Sequence, residues 1–166
     1  EISKVIFEPL SQAISDLAAV NHTHRAIRLD NLFYMDKERR ELVLGECLTA
    51  PPGFDQPTIY EPLNRAFAMP SGRGLGMIYD DMYALGILSL FALQGNNPAA
   101  HYSDDEILSA KAEKGTYQAM CEKDRIAPAL IEPVRGLLAD DEFERWGIEA
   151  LDQWLNGQRK PPIQRR

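Results

Sequence analysis

His24-Arg25-Ala26-Ile27-Arg28-Leu29-Asp30-Asn31-Leu32-Phe33-Tyr34 is the stretch on which the reading turns. It joins two segments of different period. Upstream, Ile2, Val5, Ile6, Leu10, Ile14, Leu17 and Val20 recur at spacings of three and four, which predicts an amphipathic helix over residues 2–20, kinked at Pro9. Downstream, the runs Leu32–Met35 and Glu41–Leu44 flank the charged Asp36-Lys37-Glu38-Arg39-Arg40 and predict a β-hairpin.

Further out, residues 49–79 are rich in Pro and Gly and keep neither period, so they read as a long irregular segment, the kind that tends to be functional or mobile. Asp80 and Asp81 then suit the positive end of a helix that runs through Met82, Leu85, Ile87, Leu88, Leu90, Phe91 and Leu93. Apolar side chains cover nearly its whole circumference, which predicts a place at the centre of the fold. Ser103-Asp104-Asp105-Glu106 has the form of a capping box opening another helix, with Gly115 as its stop. Helices are also predicted over residues 129–138 and 148–156, the last ended by Gly157. The fold class is mainly α, with one small β-hairpin.

The quoted stretch resembles the catalytic loop of protein kinases, in which His-Arg-Asp is followed by an apolar residue, a Lys, two more residues and an Asn, and then by a hairpin. Leu42-Val43-Leu44-Gly45-Glu46-Cys47-Leu48 stands where that family carries Asp-Phe-Gly. Asp81-Met82-Tyr83-Ala84-Leu85-Gly86 resembles the start of its buried central helix, and Leu137-Leu138-Ala139-Asp140-Asp141-Glu142-Phe143-Glu144-Arg145 its Leu-Leu, Asp-Pro, Arg stretch. Four such matches in order cover nearly the whole chain. They imply the larger, helical lobe of the protein kinase-like fold over residues 1–157, with 158–166 a basic, Pro-containing tail or linker. The smaller lobe, with its Gly-rich turn and strand Lys, would precede Glu1.

Two departures carry the functional expectation. The position of the catalytic-loop Asp is Ala26, which cannot accept a proton, and that of the metal-binding Asp is Gly45, which has no side-chain ligand. The resemblance therefore implies a pseudokinase. Neither a catalytic residue nor a metal site is expected. Arg28, Asn31 and Glu46 are the candidates to touch a nucleotide: Asn31 as a Mg²⁺ ligand, Arg28 on a phosphate, Glu46 as a carboxylate displaced by one residue. The resemblance also implies structural roles. The carboxylate of Asp81 would tie down His24 and Arg25, and Arg145, which in the family binds the Glu of Ala-Pro-Glu, would turn to Glu61, because Ala68-Met69-Pro70 offers no Glu.

Composition narrows the alternatives. The 166 residues suffice for one domain with its own core. A net charge of -7 argues against nucleic acid, since phosphate binding needs local positive potential. No stretch is long and apolar enough to span a bilayer and no signal sequence opens the chain, so no membrane partner and a cytoplasmic location are expected. Cys47 and Cys121 lie far apart and read as reduced thiols. His22 and His24 form a loop pair without a third ligand, and Gly72-Arg73-Gly74-Leu75-Gly76 lacks the strand and helix a phosphate loop requires, so both read as loop chemistry. The start at Glu1 suggests a piece of a longer protein. The function expected is a regulatory or protein-binding module acting on a protein partner or on attached domains, with no cofactor. The alternative is an atypical ATP/Mg-dependent kinase whose metal site is rebuilt from Asn31, Glu46 and Asp30 and completed by an upstream lobe. A third reading sets the resemblance aside and takes the chain as a plain helical adaptor.

Overall fold

A computed structural model describes residues 1–39, 41–46, 52–54 and 56–159. Cys47, Leu48, the first part of the long irregular segment and most of the predicted tail, from Lys160 onward, lie outside the described residues.

The first helix opens as a π-helical turn, Ser3–Phe7, and continues as α1, Glu8–Ala19. Pro9 sits in the first turn of α1 rather than at an interior kink. The π-helical turn directly before it, in which the Glu8 N–H reaches back to the Ser3 carbonyl, is wider than an α turn and makes room for the proline ring. Leu10 and Ile14 on the inner face of α1 are buried. Its start is held by Phe7, whose ring meets Trp154 edge-on at 6.1 Å.

The hairpin forms as read: β1, Leu32–Tyr34, pairs antiparallel with β2, Leu42–Leu44, with Leu32 opposite Leu44. The segment that follows is mostly irregular, with 3-10 turns at Thr58–Tyr60 and Pro70–Gly72 and one turn of helix, α2, at Leu63–Ala66.

The centre of the fold is α3, Ile78–Gln94, in which every residue from Asp80 to Leu90 is buried. An all-round apolar helix can satisfy itself only by being surrounded, and α1 and α6 pack on it. Its N-terminus is closed by Asp80, whose carboxylate accepts the Met77 N–H at 2.7 Å. Gly95 ends it in a left-handed conformation with φ 71°, its N–H bonded to the Phe91 carbonyl, as a helix C-terminus without side-chain caps favours.

The capping box predicted at Ser103 opens α4, Asp104–Lys114, with Ser103 Oγ accepting from Glu106 N and Glu106 Oε2 accepting from Ser103 N. Gly115 stops it and a short helix, α5, Thr116–Met120, follows at once. This helix escapes sequence periodicity because it is barely longer than one turn, and its cap is tertiary: Asp140, far along the chain, accepts from both Thr116 N and Thr116 Oγ1. The last two helices are α6, Pro128–Leu137, and α7, Ile148–Leu155. No helix among the described residues is long and apolar enough to cross a membrane.

The indole of Trp146 lies flat against α6 at Gly136, where an added Cβ would fall 2.3 Å from the ring. An indole cannot yield as a flexible chain end can. Gly136→Ala is therefore expected to lower unfolding stability by about 1–3 kcal/mol, the usual cost of overpacking, despite alanine's better helix propensity. Urea denaturation measures this, and an unchanged or raised midpoint contradicts the close contact.

Candidate functional site

The quoted loop is anchored from below by α3. The carboxylate of Asp81 accepts the backbone N–H of His24 at 2.7 Å and that of Arg25 at 2.8 Å. The expected tie between Asp81 and these two residues is thus present, and it is made through the main chain. Arg25 has φ 63°, a left-handed conformation that costs a residue with a side chain about 1–3 kcal/mol and persists only where its surroundings over-determine it. Asp81 supplies one such constraint. Its carboxyl is buried, and this outweighs the two amide donors and the Arg25 charge, pushing its pKa up to about 6.

The His24 ring stitches the loop to the hairpin. Nδ1 accepts from Ala26 N at 3.2 Å, so the neutral ring carries its proton on Nε2 and donates it to the Gly45 carbonyl at 3.0 Å. Burial lowers the His24 pKa, in keeping with a neutral imidazole.

The second constraint on Arg25 comes from above. Its guanidinium meets the Glu61 carboxylate at 2.8 Å, both side chains being almost fully buried. The expectation that Glu61 would pair with Arg145 does not hold. Glu61 follows the turn Thr58–Tyr60, whose backbone is clamped by Lys111: Nζ donates to the carbonyls of Thr58, Ile59 and Glu61 at 3.2, 2.9 and 2.9 Å. That clamp aims the carboxylate at Arg25. Arg145 instead donates to the carbonyl of Ala139 at 2.8 Å and lies 3.8 Å from Asp80, a carboxylate shared with Arg65 at 3.0 Å. Arg25 Nε and Glu61 Oε1 are buried without a hydrogen-bond partner.

Asn31 bridges Ala26 and the Gly45-Glu46 segment. Asn31 Nδ2 donates to the Ala26 carbonyl at 3.0 Å and the Glu46 carbonyl at 3.2 Å, and Gly45 N donates to the Asn31 carbonyl at 2.8 Å. A Cβ built on Gly45 would fall 2.1 Å from Asn31 Oδ1 and 2.6 Å from the Phe33 ring. The Asn31 amide thus occupies the room that a side chain at position 45 would need. Arg28 is engaged with Asp30 at 2.8 Å and with Gln56 at 3.4 Å. Glu46 is exposed, and its contribution to the cluster is a backbone carbonyl.

The structure therefore gathers Ala26, Asn31, Gly45 and Glu46 at one place and sends Arg28 and Asp30 to each other. As arranged, this cluster directs one amide oxygen, Asn31 Oδ1, at the Gly45 position and no carboxylate, since Glu46 enters it through its backbone, whereas Mg²⁺ is bound through one or two carboxylates together with phosphates and waters, so the set does not fit it. Among the described residues no group of three or more His, Cys, Asp or Glu is placed to hold a metal ion.

Three residues that matter to this arrangement escaped the sequence reading: Gln56, Tyr60 and Lys111. Gln56 Nε2 donates to the Ile27 carbonyl at 3.1 Å, and the Tyr60 hydroxyl accepts from Leu29 N at 3.3 Å. The available signal was Lys111, four residues after Ile107 and so on the buried face of α4.

This arrangement, a buried central helix whose Asp81 carboxylate holds an anchored loop followed by a two-stranded hairpin, defines a protein kinase-like fold of the helical-lobe type. No family model matches the chain. Solved structures do. The chain is similar to the Cydia pomonella granulovirus kinase PK-1, with TM-score 0.63 and 18% identity over 95% of this chain and 58% of that one. It is also similar to Rad53 1–466 in complex with AMP-PNP, with TM-score 0.61 and 17% identity over 89% of this chain and 36% of that one. The chain thus spans well under two thirds of either kinase structure.

Because the Asp81 pKa is raised on folding from its ordinary 3.8 to about 6, the native state binds that proton more tightly than the unfolded chain. Its contribution to stability is full below about pH 4 and is lost as pH rises through about 6. Asp81→Asn cannot ionise. The stability of the wild type relative to this variant is expected to fall by about 2–3 kcal/mol between pH 4 and pH 7. Urea unfolding of both proteins across that range checks it, and a flat difference means the carboxylate stays charged throughout.

Proposed function

We propose that the chain is a catalytically inactive, kinase-like module, a pseudokinase domain that acts by binding a protein partner or by regulating domains attached to it. The observation that carries this reading is the filled space at Gly45, where the Asn31 amide lies 2.1 Å from the point a Cβ would occupy. Ala26 removes the proton acceptor next to it. Loss of a positioned general base alone typically costs ~10²–10⁴ in rate, and loss of a metal clamp adds to the barrier. Partner binding is supported by the exposed apolar side chains that follow α2: Phe67 is 70% exposed, Met69 76% and Leu75 63%. Phe67 and Met69 line one surface concavity together with Phe54, and a contiguous exposed apolar patch, unlike a single exposed side chain, marks an interaction surface. We place the module in the cytoplasm, where a free thiol such as Cys121 stays reduced.

One observation favours the second reading, an atypical ATP-dependent kinase: the Glu46 carboxylate is exposed beside Gly45 and could turn toward a metal. Thermal-shift titration of the longest form of the protein containing this chain, with ATP in the presence and absence of Mg²⁺, separates the two. No Mg²⁺-dependent stabilisation and no phosphate transfer are expected. Gly45→Asp is expected to destabilise the fold by about 1–3 kcal/mol, since its Cβ displaces Asn31, and to create no Mg²⁺ response. Mg²⁺-dependent stabilisation together with phosphate transfer that disappears in Asn31→Ala or Glu46→Ala would establish the second reading.

A further inference from the structure

Helix α4 is held to the body in an unusual way. Of its residues only Ile107 and Lys111 are buried. Lys111 is 1% exposed and carries an ammonium group into the interior, an expensive way to attach a helix that one more leucine would have attached at no such cost. The N–H donors of its single Nζ match three carbonyls, those of Thr58, Ile59 and Glu61. The same ammonium lies 5.0 Å from the centre of the Tyr83 ring, and burial pulls its pKa down to about 7 against the fields of Asp140 and Glu61, while its three carbonyl partners can only accept and so hold it in the protonated form. Those carbonyls converge on one nitrogen only while the turn Thr58–Tyr60 is formed.

The opposite side of the same segment grips the catalytic-loop equivalent at three points. Gln56 holds the Ile27 carbonyl, the Tyr60 hydroxyl holds Leu29 N and Glu61 holds the Arg25 guanidinium. Residues 56–61 are therefore a wedge, with backbone turned toward α4 and side chains turned toward the loop. None of the three grips survives if the turn is lost, and the turn is stapled by Lys111.

We infer that Lys111 couples α4 to the loop Arg25–Asn31, so that displacement of α4, as by a partner docking on its exposed face, loosens the anchored loop, which lies 80 residues or more before Lys111 in sequence. The coupling is a property of the fold and holds whether or not the loop performs chemistry. It makes α4, the wedge and the loop one cooperative unit that opens below the global unfolding of α3.

Amide hydrogen exchange followed by mass spectrometry tests it on the whole chain. Lys111→Met keeps the length and apolar stem of the side chain and removes the donors. Exchange of the segments containing Tyr60, Glu61, Arg25 and Leu29 is expected to rise by about tenfold or more, as the loss of one or two hydrogen bonds to a charged group implies, with α3 unchanged. Lys114→Met removes a cation from the solvent side of the same helix and is expected to leave all of these segments as they were. A rise confined to α4 in Lys111→Met overturns the inference. If that variant does not fold, wild-type exchange in low urea answers the same question. A single shared opening of α4, the wedge and the loop supports the coupling, and a loop that opens only with α3 while α4 opens alone refutes it.

Discussion

A single buried carboxylate fixes the rest of the site. Asp81 sits at the start of the most deeply packed helix and accepts two adjacent backbone N–H groups, from His24 and Arg25. Helix α3 cannot shift without opening the core, so the loop inherits its position. Two amides held by one carboxylate also dictate the backbone direction at Arg25, which is how a residue with a Cβ comes to rest at φ 63°. From there the guanidinium can reach Glu61, and Glu61 in turn belongs to the turn held by Lys111. The order of dependence runs outward from an apolar helix through a chain of buried polar contacts.

Such contacts are a costly way to assemble a domain. Desolvating a charge costs several kcal/mol, and its partners must supply geometry as well as opposite sign to offset that. The solution here rests largely on backbone groups. Asp81 is met by amides, Lys111 by carbonyls, and Arg145 by the carbonyls of Ala139 and Asp140. Main-chain partners have fixed positions, so each charge selects one loop conformation among the many that an apolar contact would tolerate. Stability comes from elsewhere, from the apolar faces of α1, α3 and α6 whose buried side chains share one core.

This division explains which features could be read in the sequence. Periodic apolar residues announce α1, α3, α6 and α7, and local chemistry announces the cap of α4 at Ser103 and the hairpin after Asn31, because these signals lie within a few residues of what they determine. The anchoring of the loop by Asp81 was legible only through resemblance, since the partners are more than 50 residues apart. The pairing of Arg25 with Glu61 was not legible, nor was the capping of α5 by Asp140, because each depends on the path of an irregular segment that no period encodes. Pro9 shows the converse failure. Its local rule was sound, but helical turns of a different width absorbed the disruption.

The frame that holds the loop is independent of the side chain at residue 26. The contacts that hold the loop are made to the main chain of His24, Arg25, Ile27 and Leu29 and to the side chain of Arg25, and none of them touches the side chain of residue 26. An acidic group there can be exchanged for a methyl group with no loss of anchoring. Position 45 is different, because what replaces a side chain there must fill its volume. The Asn31 amide does so, bonded to the carbonyls of Ala26 and Glu46 and packed against the bare Cα of Gly45. A half-buried amide with its donors satisfied resists being drawn away toward a ligand, since each bond broken must be replaced. The two positions thus differ in kind: an acidic side chain at residue 26 would meet none of the contacts that hold the loop, whereas one at residue 45 would have to displace the Asn31 amide and break its bonds to the Ala26 and Glu46 carbonyls.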